Sequence, residues 1–148
     1  MADITVTASS VVPGANAVIA RGTSGGNGAN PVTAGMSVYA DPASNPVGLI
    51  KPAAQTSATT AAVVGIALNA GSANQPIEYQ TSGDITMTTT PALVPGRIYV
   101  LGSGAGGISD SADLNSAGAG TRYGTILAVA LTATSLRLGI TNSGVLRA

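Results

Sequence analysis

Ile85-Thr86-Met87-Thr88 alternates apolar side chains with threonine. A period of two sends every second side chain to one face of an extended strand. The same alternation occurs at Ile4-Thr5-Val6-Thr7 and at Leu136-Arg137-Leu138-Gly139-Ile140, where it turns Arg137 outward. Shorter, more apolar runs at 17–20, 36–40, 63–68, 97–101 and 124–131 read as buried strands. Turn residues punctuate them: Pro13-Gly14, Gly25-Gly26-Asn27-Gly28, Asp41-Pro42, Asn45-Pro46, Ser82-Gly83-Asp84 and Pro95-Gly96. No run longer than about ten residues sets a charged face against an apolar stripe at helical spacing. At most a short helix is expected, near 53–62 or 110–117. The expectation is a mainly-β chain: a small β-barrel or β-sandwich domain with few short helices.

Composition narrows the chemistry. Charged residues make up 8% of the 148 residues, against roughly 25% in an ordinary globular protein. Six basic residues balance six acidic ones, and the chain has no His, Cys, Trp or Phe. The usual transition-metal ligands, the cysteine nucleophile and the commonest general base are therefore missing. The expectation is a protein without catalytic function or cofactor. One Lys and five Arg give no electrostatic footprint for nucleic acid. The 20 Gly and 8 Pro fall short of the roughly 25–30% that marks low-complexity sequence, so the chain is expected to fold, around a lean core. Low net charge removes the repulsion that opposes association.

The start, Met1 to Val6, carries an acid where a secretory signal needs basic residues. The longest apolar runs, 61–68 and 126–131, are far shorter than the ~20 residues of a membrane helix. These features predict a soluble chain made in the cytoplasm, with no membrane partner.

A longer period overlies the strands. Gly35-Met36-Ser37-Val38-Tyr39, Val47-Gly48-Leu49-Ile50, Val63 to Leu68 and Gln75 to Tyr79 are followed, at an offset of about 60 residues, by a second series. That series is Gly96-Arg97-Ile98-Tyr99-Val100, Gly106-Gly107-Ile108, Gly124 to Leu131 and Ser135 to Leu138. Such a period points to two pseudo-repeated, four-stranded units packed into one body, over about 33–82 and 94–142. The plainer reading is that short Gly- and Val-rich strands align by composition alone.

The stretch Ala61-Ala62-Val63-Val64-Gly65-Ile66-Ala67-Leu68, a polar loop to Pro76, and Ile77-Glu78-Tyr79-Gln80-Thr81-Ser82-Gly83-Asp84 resembles the centre of the lambda-type head decoration proteins of tailed bacteriophages. Those proteins carry a similar order there: a strand, a polar loop, a strand, a tyrosine and a Ser-Gly turn. The resemblance extends over roughly 35–140, while the absence of tryptophan and the doubled unit depart from it. It implies a single β-tulip-like decoration domain over 1–148, a homotrimer on the outer surface of the expanded capsid. There it would clamp the major capsid protein at three-fold and quasi-three-fold sites. Under this reading an N-terminal arm, about 1–14, adds Asp3, Ile4, Thr5, Val6 and Thr7 as a strand to a capsid sheet edge. The same five residues read equally well as the first strand of the chain's own sheet. The alternative function is a receptor- or carbohydrate-binding module of a phage fibre or bacterial surface protein. A lectin-like site needs aromatic platforms beside clustered acids or amides, which the sequence does not offer.

Other motifs carry weaker chemistry. Gly102-Ser103-Gly104-Ala105-Gly106-Gly107 matches G-x-G-x-x-G, but no helix pattern opens at its last glycine, as a dinucleotide site requires. It reads as a glycine-rich loop. Asp110 and Asp113 are too few oxygens for calcium. Asp84 and Glu78 lack the partners of a hydrolytic pair, and Lys51 is the only amine that could serve a serine nucleophile. The run Thr86-Met87-Thr88-Thr89-Thr90 is explained by strand propensity. Tyr39 and Tyr99 are expected in the core with their hydroxyls near a polar rim. Tyr79 and Tyr123 are left unplaced, and the four tyrosines have no basic surround for stacking nucleic acid.

Overall fold

In the computed structural model, which describes residues 2–112 and 122–146, the chain is mainly β, as its alternation predicts. Among the described residues twelve strands follow in order: β1 (Thr5–Val6), β2 (Val12–Pro13), β3 (Val18–Thr23), β4 (Ser37–Asp41), β5 (Leu49–Pro52) and β6 (Val63–Ala67). They continue as β7 (Pro76–Thr86), β8 (Thr89–Thr90), β9 (Ile98–Leu101), β10 (Ile108–Asp110), β11 (Tyr123–Ala130) and β12 (Ser135–Leu146). A 3₁₀ turn lies at Ala8–Ser10, and residues 111–112 are also in 3₁₀ conformation; the rest of the helix allowed at 110–117 lies outside the described residues. The helix allowed at 53–62 does not form. There Ser57 Oγ accepts from Thr60 N at 3.1 Å and Thr60 Oγ1 donates to Ala54 O at 2.9 Å. Such side-chain bonds compete with the helical ladder.

The main sheet runs β10-β9-β11-β12-β7-β6-β4-β5 and curls into an antiparallel half-barrel. Its path reads alike from both ends. Corresponding strands start 59–61 residues apart, Ser37 with Ile98, Leu49 with Ile108, Val63 with Tyr123 and Pro76 with Ser135. The two halves meet where β12 pairs with β7, Leu136 opposite Ile85 and Arg137 opposite Asp84. Strands β2 and β3 run one after the other along β7, from Val12 opposite Thr86 to Thr23 opposite Pro76. Beyond β3, Ser24 bridges Ile50 and Gly25 N donates to Ile50 O at 2.8 Å, so this segment returns onto β5.

Two cores lie on opposite faces of the sheet. The larger gathers Tyr39, Ile66, Ile85, Met87, Tyr99, Leu101, Ile108, Leu127 and Leu136. The smaller holds Val32, Val38, Ile50, Ala67 and Ile77. Neighbours Val38 and Tyr39 on β4 enter different cores, which only a strand with both faces covered allows. Ile77 and Ile85 are eight residues apart and would share a face of a regular strand. They do not, because β7 carries an irregularity between them. Its register with β3 slips between Val18 and Ile19, and Gly83 takes φ +86°. A one-residue slip exchanges the faces of everything beyond it.

Candidate functional site

The candidate arm lies on the chain's own body. Ile4 N donates to Ile108 O at 2.8 Å, and Thr7 N donates to Thr88 O at 2.9 Å. Thr5 and Val6 pair with Thr90 and Thr89. Ile4 and Val6 are partly buried against the larger core, while Thr5 and Thr7 are exposed. Asp3 sits opposite Ser109 and puts its carboxylate into the loop 102–107. Its Oδ1 accepts from Ser103 N at 2.8 Å and from Ser109 Oγ at 2.8 Å, and its Oδ2 accepts from Gly104 N at 2.7 Å. The glycine-rich loop thus embraces an aspartate a hundred residues away, a contact no local pattern in the sequence announces.

The other ionised groups named from the sequence are tied into separate pairs. Asp84 and Glu78 do not act on a common site: Asp84 binds Arg137 at 2.8 and 3.2 Å, and Glu78 binds Arg21 at 2.8 Å. The Arg137 hydrogen bond holds the Asp84 carboxyl below its ordinary value. Lys51 binds Asp41 at 2.7 Å, and this bond lowers the aspartate and raises the lysine. Asp110 is raised by burial but more than compensated by the Ala112 N–H and Arg97, so its net shift is downward. Asp113 lies outside the described residues. Tyr39 and Tyr99 both enter the larger core, and Tyr99 Oη accepts from Val94 N at 3.0 Å. Burial pushes the Tyr39 hydroxyl above its usual value. Tyr79 packs beside the smaller core and Tyr123 beside the larger.

A second surface was not singled out in the sequence. In β9 and β11, Ile98 opposes Val129 and Val100 opposes Ile126, and directly opposed residues share a face. Tyr99 and Leu101 point the other way, into the larger core. Ile98 and Ile126 are each 44% exposed, as is Leu146, and Val145 is 65% exposed. Between Val100, Ile126, Thr141, Val145 and Leu146 lies an open, mostly apolar groove of about 330 Å³. The two halves of the sheet therefore differ. Away from the larger core, the first half carries the smaller core, with Val32 at 0% exposure. The second half carries bare Ile and Val. Only the run of exposed apolar residues on alternate positions could have marked this face in the sequence. Val12, Val18 and Ile19, on β2 and β3, are also more than 40% exposed. Comparison with protein-family models, curated proteins and solved structures finds no match to this chain.

Proposed function

We propose that the chain is a structural binding module, and specifically a decoration protein of a tailed-phage head. On this reading it sits on the outside of the expanded shell, associates as a trimer and bridges neighbouring capsomers, and it works without catalysis or cofactor. One observation supports this most. The sheet face that bears Ile98 and Ile126 is apolar and exposed, with Val100 buried at its floor, whereas the matching face of the first half is filled. Contiguous exposed apolar surface marks association sites. The ion pairs described above leave little charge to oppose contact, and the resemblance quoted from 61–84 supplies the identity of the partner. A ligand that binds only the expanded, intact shell shifts the equilibrium toward it by mass action. The test is co-sedimentation of purified protein with expanded and unexpanded phage heads stripped of decoration. Saturable binding to expanded heads alone, in threes per junction, is the expected result. Binding to neither, with retention on host cells or glycan, would replace this reading with the fibre-module one.

A further inference from the structure

Asp3 and the loop 102–107 form a unit that the capsid reading does not use. Two successive backbone N–H groups, of Ser103 and Gly104, converge on the carboxylate, joined by the hydroxyls of Ser103 at 3.2 Å and Ser109 at 2.8 Å. Successive N–H groups aimed at one point make an anion-binding concavity. Hydrogen bonds to an ionised acceptor are about twice as strong as neutral ones.

The glycines of the loop answer to this occupant. Neither Gly102, Gly104 nor Gly107 has a positive φ, so none of them is needed for its backbone conformation. What they supply is room. A Cβ at Gly102 or Gly107 would overlap the Asp3 carboxyl group, and one at Gly104 would lie 2.9 Å from Oδ2. The spacing that resembles a nucleotide fingerprint is spelled by a carboxylate. The remainder of residues 2–7 is held by the backbone bonds of Ile4 and Thr7 and by the two-residue pairing of β1 with β8; no residue of the segment is fully buried, and the 3₁₀ turn Ala8–Ser10 separates it from β2.

We propose that the 102–107 loop is a carboxylate-binding site selective for an aspartate borne on an extended segment. Arm 2–7 is its tethered occupant, and the ligand that replaces this arm is arm 2–7 of a second copy. A second copy carries the one segment already seen to fit, with Asp3 in the concavity, Ile4 on the Ile108 carbonyl and Val6 against Gly35. Every contact broken within one chain is remade between two, which makes exchange of an identical element inexpensive. Tethering favours the intramolecular form at low concentration, so exchange grows with concentration. The inference does not depend on the capsid reading.

Amide NMR of the full-length, ¹⁵N-labelled protein tests the site. Asp3→Asn keeps the shape and removes the charge. The Ser103 and Gly104 amides should move upfield and exchange about tenfold faster, while those of β11 and β12 stay in place. Ser109→Ala, which removes one hydroxyl donor, should move the same two amides less. Acetyl-Ala-Asp-Ile-Thr-Val-Thr-amide added to the Asp3→Asn protein should return both resonances saturably, and the same peptide with Asn in place of Asp should not. Unmoved amides in Asp3→Asn, or equal action of the two peptides, would overturn the carboxylate site. For the exchange, two full-length copies of different mass are mixed at rising concentration and followed by native mass spectrometry. Mixed dimers that diminish in Asp3→Asn are expected. Their absence from the wild type at every concentration would overturn the exchange alone.

Discussion

Gly83 holds φ +86° inside β7, and an added Cβ would overlap the Asn16 carbonyl oxygen and lie 2.7 Å from Ala17 N. Both obstacles are backbone, which cannot swing aside. Gly83→Ala should therefore cost about 1–3 kcal/mol of stability, the usual range for a forced backbone conformation, read from the urea midpoint. Gly139 provides the contrast. It has an ordinary φ and nothing within 4 Å of a Cβ, so Gly139→Ala should be neutral or stabilising by up to about 1 kcal/mol. Gln80 belongs to the same irregularity. It is wholly buried, and its Nε2 donates to Ser82 O at 3.0 Å and Asp84 O at 2.8 Å. Gln80→Leu keeps the volume and removes both donors, for an expected loss of about 1–3 kcal/mol. Equal midpoints for Gly83→Ala and Gly139→Ala would show that the irregularity bears no strain.

The strand seam between β7 and β12 shows how differently the two faces of one element behave. Leu136 is 1% exposed in the larger core, while its neighbour Arg137 lies outside with a side chain 60% exposed, bound to Asp84. Leu136→Ala should cost about 2–5 kcal/mol. Arg137→Ala should leave the unfolding midpoint nearly unchanged, since an exposed pair adds little to a seam fixed by its backbone ladder. This outward placement of Arg137 was legible in the sequence, because a period of two is written in the residues themselves. So were β4, β6, β9 and β11, whose apolar runs sit within a residue or two of the strands. The course of β7 was not. Ser82-Gly83-Asp84 has the chemistry of a turn, yet it lies inside the strand, because β2 and β12 hold the backbone there through Thr86, Ile85 and Asp84. Long-range pairing overrides local preference in this stretch. The loop 102–107 was legible as glycine-rich, but its reason, Asp3, lies beyond any local window.

For the whole molecule, charge and apolar surface make separable predictions. Asp41 and Asp84 titrate below 3.8 because of their Lys51 and Arg137 partners. A depressed carboxylate stabilises the fold above its unfolded value, and that contribution is lost as pH falls through the folded one. Lys51 is raised above 10.5 and Tyr39 above 10.0, so their contributions hold below those values and disappear as pH rises through the folded ones. With no histidine in the chain, the urea midpoint should stay flat from about pH 5 to 9 and drop in stronger acid. A step near neutrality would contradict this account. Over that same plateau, net charge stays near zero, and nothing electrostatic keeps copies apart. The bare face of β9 and β11 is then free to drive association. Replacing Ile98 and Ile126 together by Thr keeps strand propensity and removes apolar area. Because both side chains are 44% exposed, the stability of the single chain should change by only about 0.5 kcal/mol per site. Sedimentation velocity at rising concentration should show the wild type associating and the double variant remaining lighter. A wild type that stays monomeric throughout would leave this face without a self-partner and remove the trimer from the proposed function, whereas loss of folding in the variant would show that the face belongs to the core.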